Sequence, residues 1–139
     1  MQQAAFALFD FDDTLSRGDS IIPYLFYCIR RGAAPRRQFF RALWAVARRV
    51  CRRTTDGSAK AEALSFLAGR RVEEMDDIAR GFYREVLSRR MYPAGLAELQ
   101  CLRDAGMRIL LVSASPEAYM RVLPEFLPID GVIATPCGV

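Results

Sequence analysis

The residues Ala4-Ala5-Phe6-Ala7-Leu8-Phe9-Asp10-Phe11-Asp12-Asp13-Thr14-Leu15 open the chain with an apolar run that ends abruptly on carboxylates. A short run without polar interruption suits a strand buried on both faces, as in a parallel sheet. Asp10 to Gly18 then reads as a loop, so Asp10 falls at the carboxyl end of the strand.

The end of the chain has the same character. Pro93 to Ala105 reads as an amphipathic helix stopped by Gly106. Met107 to Val112 is a second apolar strand, ended by Ser113-Ala114-Ser115-Pro116. Pro116 suits the first turn of another helix, reaching about Phe126, and Gly131 to Ala134 is a third strand. Alternating strands and helices imply an α/β fold with a Rossmann-like parallel sheet. Ligands in such sheets bind outside the carboxyl ends of the strands, where Asp10 and Ser113 both sit.

Between these parts the pattern is helical. Ser20 is placed to cap a first helix, with Pro23 in its first turn and Gly32 as its stop. A second helix runs from about Pro35 to Arg53, with Phe39, Leu43, Val46 and Val50 on one face and Arg37, Arg41, Arg48 and Arg52 on another. Ser58 starts a third, stopped near Gly69, and a fourth spans about Glu73 to Arg89. The expected division is a core of residues 1–18 and 91–139, with a helical cap of residues 19–90 inserted after the first strand as a lid.

Composition bounds the chemistry. The chain has 139 residues, 52% hydrophobic and 26% charged, which suits one compact domain or a core with a small insert. There is no His, so His catalysis and His metal ligation are excluded. Cys28, Cys51, Cys101 and Cys137 are scattered, which argues against a zinc site or disulfide framework; each reads as a small buried apolar residue in a reducing compartment. Early acidic residues interrupt any signal-peptide pattern and no apolar stretch is long enough to span a bilayer, so a cytoplasmic protein is expected.

The pair Asp10 and Asp12 carries the chemistry. A carboxylate that attacks phosphorus forms an aspartyl-phosphate and splits one displacement into two. The approach of two anions calls for a cation such as Mg²⁺ with oxygen ligands. A second carboxylate two residues on can protonate the leaving oxygen and later activate water. Thr14 fits a loop-fixing role and Asp13 a solvated turn. Ser113 and the following amides, Ala114 among them, form a natural anion site; the competing role, helix capping, fits Ser115 better.

Asp10-Phe11-Asp12-Asp13-Thr14 after an apolar strand resembles the first motif of the haloacid dehalogenase superfamily, in the two-carboxylate form of its phosphatases. Ile109-Leu110-Leu111-Val112-Ser113 resembles its second motif. The helical insert and Tyr92-Pro93-Ala94-Gly95 resemble the subfamily that contains phosphoserine phosphatases. The resemblance implies Asp10 as nucleophile and Asp12 as acid/base. It also implies phosphate binding at Ser113 and Ala114, and Mg²⁺ held by the Asp10 side chain and the Asp12 backbone carbonyl. The third-motif Lys and fourth-motif acidic pair have no counterpart, because no Lys follows Lys60. The chain therefore reads as a shortened member with an incomplete core, weakly active or inactive as it stands. The strand that normally pairs beside Ala4–Phe9 is also missing, which leaves an open sheet edge suited to self-association.

The resemblance implies a small phosphomonoester as substrate and no nucleic-acid partner. From Ser20 to Thr55 there are nine Arg and no acidic residue. That face is either simply solvated or a surface for anionic lipid or phosphorylated substrate, with Phe40 and Trp44 flanking it. The rival to an enzyme is a non-catalytic module that holds an anion or a partner.

Overall fold

The computed structural model describes residues 5–38, 40–41, 44 and 64–137. Among them the order is β1 (Phe6–Phe9), α1 (Ile21–Arg30), α2 (Val72–Glu85), α3 (Pro93–Asp104), β2 (Arg108–Pro116), α4 (Glu117–Met120) and β3 (Gly131–Thr135). Short 3-10 turns lie at Ser65–Leu67, Leu87–Arg89 and Leu123–Glu125. The strands form one parallel sheet in the order β1-β2-β3, so the expected α/β class holds.

The register explains a correction to the first strand. Phe6 pairs with Arg108, Phe9 with Leu111, Leu110 with Gly131 and Val112 with Ile133. Paired residues of parallel strands share a face, and successive residues alternate between faces. Ala7, Phe9, Ile109, Leu111 and Val132 therefore point one way, into the core. Phe6, Leu8, Val112 and Ile133 point the other way and are exposed, Leu8 to 66%. Neighbouring strands follow in chain order, so both right-handed crossovers lie on one face and leave the other bare. The first strand is thus a half-exposed edge strand, where burial on both faces was expected; Ala4 lies outside the described residues.

Helix ends follow local chemistry. α1 stops at Arg30, and Gly32 supplies the positive φ of 71° that an L side chain resists. The helix expected over Glu73–Arg89 ends earlier, at Glu85, and finishes as a 3-10 turn. β2 runs on to Pro116, past its expected end at Val112, with an irregularity between Val112 and Pro116. Pro116 precedes a helix of only four residues, far shorter than the one expected to reach Phe126. Of the second expected helix, residues 36–38, 40, 41 and 44 are helical and exposed Phe40 and Trp44 belong to it; Phe39, Leu43, Val46, Arg48, Val50 and Arg52 lie outside the described residues. Ser58, Lys60 and Cys51 lie outside them too.

Helices α1 and α2 join the sheet layer through an aromatic cluster. Tyr24 of α1 lies 4.6 Å from Tyr119 of α4 and 5.1 Å from Phe82 of α2, ring centre to ring centre, and Phe82 lies 5.5 Å from Tyr119. Met75, Ala79 and Phe82, at helical spacing, form the buried stripe of α2. Ion pairs rim this contact, Arg80 to Glu125 at 2.8 Å and Arg121 to Asp76 at 2.6 Å. Partly exposed pairs contribute about 0–1 kcal/mol each. Aromatic pairs add about 0.5–1.5 kcal/mol each beyond their buried area, so the rings dominate the joint.

Of the cysteines, Cys28 is buried as expected, whereas Cys101 is exposed on α3 and Cys137 half-buried. Burial pushes the Cys28 thiol from 9.0 up to about 12. Burial likewise pushes the Tyr24 and Tyr119 hydroxyls upward. Each group is neutral when protonated, so the folded chain keeps protons that the unfolded chain releases. Stability is therefore whole below about pH 9 and falls from there toward pH 12, by up to about 1.4 kcal/mol per pH unit for each group. Urea unfolding at pH 7 and pH 10 checks this; equal midpoints would contradict it.

Candidate active site

The loop after β1 is wound around one carbonyl. Phe11 C=O accepts the amides of Thr14 (3.3 Å), Leu15 (2.9 Å) and Ser16 (3.0 Å). The side chains of Phe11 and Leu15 are fully buried. With Phe11 anchored inside, Asp10 stays exposed and Asp12 half-exposed on either side of it. Asp10 Oδ1 accepts the Phe11 amide at 2.7 Å.

Asp13 does more than the solvated turn expected of it. It alone among the described non-glycine residues has a positive φ, 58°, and its Oδ1 accepts the Gly18 amide at 2.7 Å. Asp tolerates this backbone better than most residues. The far side of the loop is fastened to the chain returning toward α3. Arg17 N donates to Arg90 O at 2.9 Å, and Tyr92 N to Leu15 O at 2.8 Å. Gly95 completes the seat, since a Cβ there would fall 2.9 Å from Leu15 Cδ2 and 3.7 Å from the Thr14 carbonyl oxygen.

Phe9 pairs with Leu111, so Asp10, just past β1, lies level with the stretch of β2 that holds Ser113; Ser113 was expected at the end of its strand, but β2 continues to Pro116. Ser113 Oγ accepts the Ser115 amide at 3.1 Å, which orients its hydroxyl locally. Ala114 is exposed, and its carbonyl accepts the Thr135 hydroxyl at 2.9 Å, tying this edge to β3.

Asp12 is the most tightly held of the candidates. The Ser20 amide donates to its Oδ1 at 3.0 Å, and the Ser115 hydroxyl donates to its Oδ2. The Ser20 hydroxyl lies 2.8 Å from Tyr119 OH and 3.3 Å from Ser115 Oγ. Two capping assignments are corrected by this. Ser20 makes no side-chain cap to α1; Asp19 Oδ1 accepts the Ile21 amide instead, at 2.7 Å. Ser115 is a strand residue that faces Asp12, not a helix cap.

Oxygen donors at Asp10 and at the Asp12 carbonyl suit a hard cation. Among the described residues no group of three or more His, Cys, Asp or Glu could hold a metal.

The sequence profile of the haloacid dehalogenase-like hydrolases matches residues 7–137. A relative named phosphoserine phosphatase SerB1, from Mycobacterium tuberculosis, is 27% identical over 140 residues; these cover 94% of this chain and 44% of the relative. The chain therefore spans less than half the length of that protein. Among solved structures, a protein of unknown function from Bordetella pertussis matches with a TM-score of 0.79 at 23% identity, covering 96% of this chain and 61% of the other. A phospho-aspartyl intermediate analogue of phosphoserine phosphatase matches at 0.56 and 15% identity, covering 96% and 56%. At these identities the structural matches speak for the fold. Among the described residues no helix is long and apolar enough to cross a membrane.

Replacing Asp13 by Ala removes the Gly18 contact and leaves a less tolerant residue at φ 58°. It is expected to lower stability by about 1–2 kcal/mol in urea unfolding, with Asp13→Asn closer to wild type. An Ala variant as stable as wild type would show that this contact does not hold the loop.

Proposed function

The chain belongs to the haloacid dehalogenase-like hydrolases, and from that premise we propose that it hydrolyses a phosphomonoester through a covalent aspartyl-phosphate on Asp10. One observation carries the reading: Asp10, Asp12 and Ser113 share the carboxyl edge of two neighbouring parallel strands, with the Asp12 carboxylate held in place.

A carboxylate oxygen of Asp10 attacks phosphorus while the ester P–O bond breaks. Asp12, protonated in this step, gives its proton to the departing alkoxide. Asp12, now a carboxylate, takes a proton from water. The hydroxide so formed attacks phosphorus, releasing phosphate and the Asp10 carboxylate. Ser113 O–H and the amide of Ala114 are the groups offered to the phosphoryl oxygens. The Asp10 carboxylate and the Asp12 backbone carbonyl would hold Mg²⁺, which when bound neutralises charge where phosphate meets carboxylate. Similarity to a protein named phosphoserine phosphatase makes O-phosphoserine the first ester to try.

With Mg²⁺ and a panel of small phosphomonoesters, Asp10→Asn is expected to abolish turnover. Asp12→Ala is expected to lower it about 10²–10⁴-fold for alkyl esters. Beryllium fluoride, which imitates a phosphoryl group on a carboxylate, should bind the wild type and not Asp10→Asn. Binding without any turnover would favour a non-catalytic anion-binding module; neither binding nor turnover would end the phosphatase reading.

A second contact is proposed for the basic helix. Phe40 and Trp44 lie one helical turn apart and are 69% and 67% exposed, beside Arg36, Arg37 and Arg41. Exposed aromatics among arginines suit the headgroup layer of an anionic membrane, where each basic residue contributes about 1 kcal/mol. Trp44 is the single tryptophan, so its emission reports contact directly. Phosphatidylglycerol vesicles should shift it to the blue and phosphatidylcholine vesicles should not, with Arg37→Glu plus Arg41→Glu weakening binding at least about tenfold. An equal response to both lipids would remove the proposal.

A further inference from the structure

We infer that Ser115, backed by Ser20 and Tyr119, is a positioning residue that fixes the Asp12 carboxylate for proton transfer to the leaving group. The inference rests on the phosphatase reading above and extends it to three side chains outside the two aspartates and Ser113.

Hydroxyl geometry gives this group a direction. Ser115 has one O–H proton, and Asp12 Oδ2 receives it. In the contact between Ser115 and Ser20, at 3.3 Å, Ser20 must then donate. Having given its proton there, Ser20 accepts from Tyr119 OH, 2.8 Å away. All three hydroxyls thus point toward Asp12 while it is ionised. Burial pushes the Tyr119 hydroxyl upward, so the last donor keeps its proton. Its ring is clasped by Tyr24 and Phe82, which immobilises the end of the chain.

The position is as telling as the direction. Ser20, Ser115 and Tyr119 are at most 2% exposed. A buried hydroxyl needs a partner, because leaving it unmade costs about 1–3 kcal/mol. These residues find their partners in one another and in Asp12, at the junction of β2 and the root of α1. Ser20 also uses its amide, on Asp12 Oδ1, so both carboxylate oxygens are held, one from each element. Two fixed oxygens leave the carboxylate a single rotamer, which proton transfer at a defined leaving oxygen requires. A displacement of the α1 root relative to β2 would release one of the two.

The test separates proton donation from general damage by varying the leaving group in the full chain with Mg²⁺. An alkyl phosphate needs a proton on its departing oxygen, whereas 2,4-dinitrophenyl phosphate does not. The value kcat/KM reports the step in which that group leaves. Ser115→Ala is expected to lower kcat/KM for the alkyl ester at least about tenfold and for the dinitrophenyl ester less than about threefold. In an Asp12→Ala background, Ser115→Ala should cost nothing further. Ser115→Cys keeps the size and loses the strong donor, so it should show the same selectivity if the Ala variant folds poorly. Equal loss on both esters, or additive loss in the double variant, overturns the positioning role while leaving the phosphatase reading intact. A wild-type chain inactive on both esters overturns the two together.

Discussion

Burial of Phe11 is the constraint on which the site depends. The alternation Asp10-Phe11-Asp12 puts one large apolar side chain between two charged ones at the end of an edge strand. Sinking that ring is worth about 1.5–3 kcal/mol relative to leaving it in water. Water claims the carboxylates, so the backbone has one way to satisfy all three residues. The Phe11 carbonyl then gathers three amides, closing the loop before any tertiary partner is needed. The orientation of the two carboxylates is a by-product of core packing.

The sheet shows the same economy from the other side. Three strands laid down in chain order can cover only one face with their own crossovers. The covered face holds Phe9, Ile109 and Leu111 against the helices. The other face leaves Phe6, Leu8, Val112 and Ile133 exposed.

Helices α1 and α2 reach the site through aromatic packing, with ion pairs at its rim. Tyr119 serves both ends of this arrangement: its ring packs with Tyr24 and Phe82, and its hydroxyl enters the polar cluster at Asp12. One residue thus links the packing of α1 and α2 to the orientation of a carboxylate. Apolar contacts supply most of the energy at this joint, and the hydroxyls supply direction, since hydrogen bonds are worth little net when satisfied and much when broken.

The sequence by itself determined what depends on nearest neighbours along the chain. The parallel α/β class, the helix stop at Gly32 and Asp10 at the end of β1 all follow from apolar periodicity and turn residues within a few positions. The tertiary structure decided what depends on distant groups. Which face of β1 meets water is set by crossover handedness, a property of the whole sheet. Whether Ser20 and Ser115 cap helices or hold a carboxylate is set by partners 95, 99 and 103 residues away in sequence. A serine carries the same hydroxyl in either role, and only the packed chain shows which acceptor lies within reach.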